Sequence, residues 1–546
     1  MSTECYPITL LPHVARLYCD YLAMGEPAGA AVRGWYGAEP LGREWMRPAP
    51  ASSHAGALAD VLERQAVSFG AGPVVLENLA RLRSGARAVV TGQQVGLLGG
   101  PLLVLLKAAT SIARAKQASE ATGVHHVPIF WCATEDHDLE EADQVTLLEK
   151  LQSETLRLPI ERGSAVPVGS VTLGPEIETV LERASELLGY MPVCDLLREC
   201  YRPEETFGRA FARLLTRLFA DEGLIVMDAA GREFHALGSA AIRGAIEQAS
   251  ALEAALMVRS AELEAGGYHA QVLVKPGSSL LFYIGEDGGR VPLRRTGEGT
   301  WKAGAGNAAR QFSTTELLAL ADAEPERLSP NALLRPVFQD TILPTTAYVG
   351  GPAEVAYFAQ CAVVYQILLG RVTPILPRFS ATILQPSIAD VMATHEVGLL
   401  DAMQSSEELA QKLGAHAMPI EAKRRLAAAG NALDDALQAA GDYLGSLDAS
   451  LGRSADVSAS KMRYQMARLR RLAANFELSR EASLRKHATA ISLHLFPGGQ
   501  PQERVIAGAW FLSVYEGLTG EPAAQFVRQL VQEAANQCPG HVVVRM

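Results

Sequence analysis

Residues 86–143 run strand, glycine turn, helix, strand and acidic cluster, and that order constrains the fold more than any other part of the chain. Residues 86–90 are short and mostly apolar, as an interior strand requires. Thr91, Gly92, Gly96, Gly99, Gly100 and Pro101 then interrupt regular structure. Over 102–119, Leu102, Leu106, Ala109, Ile112 and Ala113 recur on one helical face. Residues 127–132 read as a second strand, followed closely by Glu135, Asp136, His137 and Asp138. The spacing predicts a βαβ unit that delivers polar groups at a strand's carboxyl end, where open parallel sheets place ligands.

A chain of 546 residues exceeds one hydrophobic core, so two to four domains are expected. The formal charge of −11 favours neither nonspecific nucleic-acid binding nor an anionic membrane surface. No apolar run approaches the ~20 residues of a span, and the N-terminus lacks a signal-peptide pattern, so a cytoplasmic protein is expected. Seven scattered cysteines without a CxxC pair point to a reducing compartment and against a disulfide framework.

Helices are expected over 14–22, 57–68 and 74–82, ahead of the opening strand. Residues 146–158 suggest a hairpin. Pro159, Gly163, Pro167, Gly169 and Gly174 mark an irregular insert, and 176–188 returns to helical periodicity. An amphipathic helix over 206–220 leads into a buried strand ending at Asp228, another step of a parallel sheet. One long helix over 236–264 precedes a small antiparallel meander at 270–275, 280–284 and 290–292. Arg294, Arg295 and Lys302 lie nearby, as solvent-facing turn residues or as anion contacts. Ser329-Pro330 suggests a helix start. Residues 345–349 read as a strand, Gly350-Gly351-Pro352 as its exit and 353–369 as a helix, a second strand–glycine–helix step that returns to the first sheet.

From about residue 388 the chain becomes helical and alanine-rich. Leu426, Leu433, Leu437, Ala440, Leu444 and Leu447 keep an a/d spacing, as do Met462, Met466, Leu469, Ala473 and Phe476. These predict an antiparallel coiled-coil hairpin turning within 448–456, with a basic face on its second arm. Two further helices and a terminal strand at 541–545 are expected after Pro497-Gly498-Gly499.

The 91–101 turn matches neither GxGxxG nor a Walker A loop. Exposed amides at a helix start still favour anions, and Gln93 and Gln94 add neutral donors and acceptors. Thr91, Gly92, Gln93, Gln94, Gly96, Gly99 and Gly100 are therefore the candidate nucleotide-binding set, a purely structural turn being the competing reading. Lys107 is ambiguous, because it lies in the helix. Glu135, Asp136, His137 and Asp138 are the candidate catalytic groups, able to orient an amine and accept its proton. The cluster lacks zinc spacing, so no resident metal is expected; Mg²⁺ carried on ATP phosphates needs no protein cage. Asp340, Tyr348, Gly350, Gly351, Glu354, Tyr357 and Arg378 are candidate substrate contacts, with Arg378 answering a carboxylate or phosphate.

TGQQVGLLGGP and FWCATEDHDLEEAD, with LRPVFQDTILPTTAYVGGPAEVAYFAQ, PILPRFS and LHLFPGGQPQER, resemble the cysteine ligase family of bacillithiol biosynthesis, the BshC family, over almost the whole chain. The resemblance implies a Rossmann-like α/β core related to class I aminoacyl-tRNA synthetases and nucleotidyltransferases, with connecting insertions and a helical coiled coil that forms a homodimer. On this chain it implies an N-terminal extension (1–85), core segments at 86–154, 206–235 and 328–387, insertions at 155–205 and 236–327, a coiled-coil domain at 388–496 and a C-terminal segment packed on the core (497–546). It further implies ATP-assisted addition of L-cysteine to glucosaminyl-malate. HIGH and KMSKS are absent, so synthetase nucleotide contacts do not transfer. The alternative of a different class is a nucleotide-binding coiled-coil scaffold or sensor serving another thiol-pathway enzyme.

Overall fold

The computed structural model describes residues 3–160, 166–304, 309–536, 538 and 540–546; Gly163 lies outside the described residues. Its centre is a five-stranded, wholly parallel sheet of β1 (Arg87–Gln94), β2 (His126–Ala133), β3 (Ile225–Asp228), β4 (Thr345–Gly350) and β5 (Ile375–Pro377), in the spatial order β5–β4–β1–β2–β3. The order reverses between β1 and β4. The chain steps from β1 outward to β2 and β3, then returns to lay β4 and β5 on the other side of β1. Side chains alternate between two covered faces, as a buried parallel sheet demands. Phe130, Cys132 and Val226 pack toward Leu105, Phe211 and Phe526 on one face. Val127, Ile129, Trp131 and Met227 pack toward Leu79, Val355 and Phe358 on the other.

Helix α1 (Leu103–Thr122) makes the β1–β2 crossover, and α2 (Pro352–Leu369) follows β4. Helix α2 is long and apolar enough to cross a membrane by length and composition alone. Half of it is buried against the sheet and its neighbours, the setting of a core helix. Strand β1 continues through Gln94, so Thr91, Gly92, Gln93 and Gln94 belong to the sheet and not to the turn expected there. Position 92 admits only glycine without a shift, because a Cβ there would stand 2.8 Å from the Trp131 carbonyl oxygen of the neighbouring strand.

The hairpin Gln144–Glu149/Gln152–Arg157 forms where expected. The long helix expected over 236–264 does not. It is three helices, Arg232–Leu237, Ser239–Glu247 and Ala249–Ala265, the first break falling where Gly238 lets the Phe338 ring approach the backbone. Residues 270–275 form no strand, since the Gln360 side-chain amide satisfies both the N–H and the C=O of Val272. The meander is larger than expected, with five antiparallel strands: Ser278–Ile284, Arg290–Gly297, Thr300–Ala303, Arg310–Ser313 and Leu328–Pro330. Ser329 is thus in a strand, and the next helix, Arg335–Ile342, starts after Asn331, whose side chain accepts from the N–H groups of Leu333 and Leu334.

The hairpin arms are α3 (Ile420–Leu447) and α4 (Ala449–Arg480), turning at Asp448, whose carboxylate accepts from the N–H groups of Ser450 and Leu451. Arg463 pairs with Asp434, and Gly452 lies against Gly445, which fixes the antiparallel register. Helix α4 spans about 48 Å at 1.5 Å per residue. It stops at the extended residue Glu481, before a separate helix Ala482–Leu495, so the single second arm expected to 495 is broken.

The terminal strand His541–Arg545 lies between Thr3–Tyr6 and Ser380–Leu384, joining both chain ends to the core. Cys5 and Cys538 form a single disulfide there, which the expectation against a disulfide framework did not include; residues separated by 533 positions meet only once the terminal strand is in place. Gly92→Ala is expected to lower the unfolding free energy by about 1–3 kcal/mol in urea denaturation, as overpacking does; unchanged stability would show that β1 and β2 separate freely at this point.

Candidate functional site

A cavity of about 580 Å³ opens at the carboxyl ends of β1, β2 and β4, at the reversal of strand order. Open α/β sheets bind ligands at this position because diverging connections leave a crevice there. Its base is a buried ion pair. Lys107, on α1, places Nζ 2.5 Å from Glu354 Oε2 in the first turn of α2, and donates to Gly92 O at 2.6 Å and Gln93 Oε1 at 2.9 Å. Burial pulls the Lys107 ammonium below its ordinary range, against the opposing pull of Glu354. Burial alone would raise the Glu354 carboxyl, but Lys107, the Gly351 N–H at 2.8 Å and the Tyr348 hydroxyl at 2.6 Å hold it below the usual carboxylate range. Arg335 extends the network, donating to the hydroxyls of Tyr348 at 3.3 Å and Tyr357 at 3.2 Å.

The opposite wall carries the β2 exit. Glu135 Oε1 accepts from Nε2 of the fully buried His235 at 2.9 Å. Asp136 accepts from the Gln94 side-chain amide, and from the His137 N–H at 2.7 Å. Arg290, from the meander, lies over the Phe282 ring with Cζ 3.8 Å from the centroid. It donates to Ser329 Oγ and Pro330 O, and its Nη1 lies 3.3 Å from His137 Nδ1. Burial lowers the Arg290 guanidinium, with Glu135 and Asp136 opposing. No carboxylate pairs with Arg290 or with the wall residue Arg504 among the described residues.

Of the residues expected from sequence, Gly92, Gln93, Gln94, Glu135, Asp136, His137, Tyr348, Gly351, Glu354, Tyr357 and Arg378 meet in this cavity. The others do not line it. Thr91 donates its hydroxyl to Val349 O, tying β1 to β4. Gly96, Gly99 and Gly100 form a closed turn. The Tyr201 hydroxyl accepts from Gly99 N–H and donates to Gly96 O, while Gly508 N–H donates to Gly100 O and Leu102 N–H to Ile506 O. Protein groups thus occupy the positions where an anion was expected. Asp138 is exposed outside the wall. Gly350 lies beneath Ile375, and Asp340 is buried with Tyr365 and Gln339, its carboxyl raised by burial. Arg378 borders the cavity but is held bidentate by Glu503, at 2.5 and 3.0 Å, so it is committed to the protein and not free for a phosphate. Arg295, a possible anion contact, pairs with Glu253 elsewhere.

Lys107, His235, Arg290, Arg335 and Arg504 are the site residues that sequence reasoning did not select. A single lysine inside the apolar run LVLLKAAT was the available signal for Lys107. His235, at the end of a core segment, and Arg290, in an insertion, reach the site only through tertiary placement.

Together these features define a Rossmann-like α/β protein with a charged ligand cavity at its topological switch point and a helical hairpin arm. The family model for bacillithiol biosynthesis BshC, N-terminal Rossmann-like domain, matches residues 1–379, and that for the C-terminal coiled-coil domain matches residues 381–518. A relative from Koribacter versatilis is 42% identical over 557 residues, covering all of both chains. One from Solibacter usitatus is 36% identical over 80% of this chain and 81% of its own. One from Salinibacter ruber is 32% identical over 84% of each. All three carry the name "Putative cysteine ligase BshC". The chain belongs to the BshC family.

Lys107→Met strands the Glu354 carboxyl in the interior and is expected to lower the unfolding free energy by about 3–5 kcal/mol in urea denaturation. Lys107→Met/Glu354→Gln should recover part of that loss. Additive effects of the two substitutions would contradict the pairing.

Proposed function

We propose that this protein is an ATP-dependent ligase that joins the carboxyl group of L-cysteine to the amine of glucosaminyl-malate, forming bacillithiol. The observation that carries the reading is the switch-point cavity, where carboxylates and guanidinium groups without a carboxylate partner line one volume in a chain of this family. A carboxylate does not acylate an amine until one oxygen becomes a leaving group. ATP supplies that group by transferring a phosphoryl or an adenylyl group to the cysteine carboxylate, with release of ADP or pyrophosphate. The amine nitrogen then attacks the carbonyl carbon, the C–N bond forms, and the C–O bond to phosphate or AMP breaks.

Asp136 and His137 are the groups placed to take the proton lost by the amine. The Gln94 amide and the His137 N–H orient the Asp136 carboxylate, and Arg290 lies beside the His137 ring. Arg335 and Arg504 supply positive charge for phosphate oxygens, and any Mg²⁺ would come with the nucleotide and need no protein cage. Rate gain comes from positioning and electrostatics without a protein-covalent intermediate. The need for ATP and free cysteine assigns the enzyme to the cytoplasm.

The hairpin arm is the dimer contact in this reading. Within one chain, α4 leaves Met462, Leu469, Leu472 and Phe476 half or more exposed, with Leu469 at 54% and Phe476 at 61%. A second copy of the arm would cover that stripe.

Purified protein with Mg²⁺, ATP, glucosaminyl-malate and isotopically labelled cysteine is expected to yield labelled bacillithiol, with one ADP (acyl phosphate) or one AMP (acyl adenylate) per product. Asp136→Asn should lower kcat by about 100-fold or more. A folded protein that binds ATP without forming product would instead match the scaffold or sensor. Light scattering should give about twice the 58.3 kDa chain mass, and Leu469→Glu/Phe476→Glu should return a monomer; a wild-type monomer would contradict the dimer.

A further inference from the structure

Of the two oxygens that face the His235 ring nitrogens, one is a carbonyl that can only accept and the other belongs to a carboxylate, which accepts in its ionised form. Nδ1 lies 3.2 Å from Pro325 O and Nε2 lies 2.9 Å from Glu135 Oε1, while the ring is fully buried and tilted against Phe338 at 5.2 Å. A neutral imidazole carries one N–H, so either tautomer would leave one nitrogen lone pair against an oxygen lone pair. The imidazolium satisfies both contacts: Nδ1–H donates to the carbonyl and Nε2–H to the carboxylate. The other charges around the pair agree. Glu326 lies near His235 and is itself paired with Arg232 at 3.0 Å. Asp228, raised by burial, accepts from Thr134, and Arg290 and Asp136 lie on the Glu135 side. Burial would lower the His235 ring, but Glu135, the Pro325 carbonyl and Glu326 outweigh it and raise it above the ordinary histidine range.

The contact with His235 fixes one Glu135 carboxylate oxygen in place. The carboxylate is a good receptor for a cation, because its remaining lone pairs face the cavity with their direction set in advance. On the same side of the cavity, Arg290 is pinned by Phe282, Ser329 and Pro330 and has no carboxylate within ion-pair distance among the described residues. The two groups offer opposite charges to one ligand.

We propose that Glu135 and Arg290 form an α-amino-acid subsite, Glu135 receiving the ammonium group and Arg290 the carboxylate, with His235 as the positioning residue that holds the Glu135 carboxylate in place. The inference deepens the ligase reading and rests on it for the identity of the amino acid as cysteine. It also separates duties within the strand-end cluster: Glu135 binds, and proton transfer falls to Asp136 and His137.

Titration calorimetry of the full-length protein with cysteine and with 3-mercaptopropionate, which lacks the amine, tests the subsite without requiring turnover. The wild-type protein should prefer cysteine by at least 10-fold. Glu135→Gln should abolish that preference while leaving ATP affinity within 2-fold. His235→Gln, which keeps an N–H donor for Glu135, should retain the preference, whereas His235→Phe, which keeps none, should lose it. In ¹⁵N-histidine spectra of the unliganded protein, both His235 nitrogens should be protonated at pH 7.5, and Glu135→Gln should convert the ring to a neutral tautomer. A neutral His235 in the wild-type protein, failure to bind cysteine, or an undiminished preference in Glu135→Gln overturns the proposal. Selective cysteine binding without bacillithiol formation would instead remove the ligase reading and leave the subsite standing.

Discussion

The contact between Lys107 and Glu354 governs the arrangement of the rest of the site. It joins the two helices that leave β1 and β4 on either side of the strand-order reversal, and its third partner is the Gly92 carbonyl of β1 itself. Two charges removed from water in this way cost several kcal/mol each unless every donor and acceptor is met. Here they are met: Lys107 has three acceptors, and Glu354 receives the Gly351 N–H and the Tyr348 hydroxyl. The crevice that a diverging sheet leaves open therefore has a fixed polar base.

From that base the remaining groups divide into committed and available charges. Arg378 with Glu503 and Lys107 with Glu354 are closed ion pairs that shape the wall. Arg290 and Arg504 have no such partner, and Asp136 keeps its carboxylate at the cavity edge under two neutral donors. A site for acyl activation needs this division, since groups already neutralised by the protein hold geometry while groups without partners meet substrate charge. The glycine turn after β1 belongs to the first category. Tyr201 and the 506–508 segment fill it, so the turn offers no open backbone cradle for an anion.

Much of the architecture was legible because it follows from local pattern. The alternation of short apolar runs with helical periodicity marks four of the five parallel strands and both helices that flank the reversal, and the strand-end polar clusters point to the cavity's two rims; β5, three residues bounded by prolines, carries too short a pattern to read. The failures have local physical causes. Gly92 was read as a breaker, but it is a strand residue required by the close approach of Trp131. Ser329 looked like a helix cap, but Asn331 performs that role. Gly238 ended a helix that periodicity alone would have continued. Arg290 and His235 could not be assigned from the sequence, since their role depends on how insertion 236–327 and the end of core segment 206–235 fold back over β2, a matter of tertiary packing without a local signature.

The account places activation, amine attack and proton transfer in one cavity between β1 and β4. The most direct measurement is a crystal structure of the protein soaked with cysteine, glucosaminyl-malate and a non-hydrolysable ATP analogue. The account predicts difference density for all three ligands within this cavity, with the cysteine carboxyl carbon and the substrate amine nitrogen in van der Waals contact beside Asp136. Density for cysteine or the amine substrate elsewhere on the protein, with the cavity between Lys107 and Glu135 empty, would contradict it.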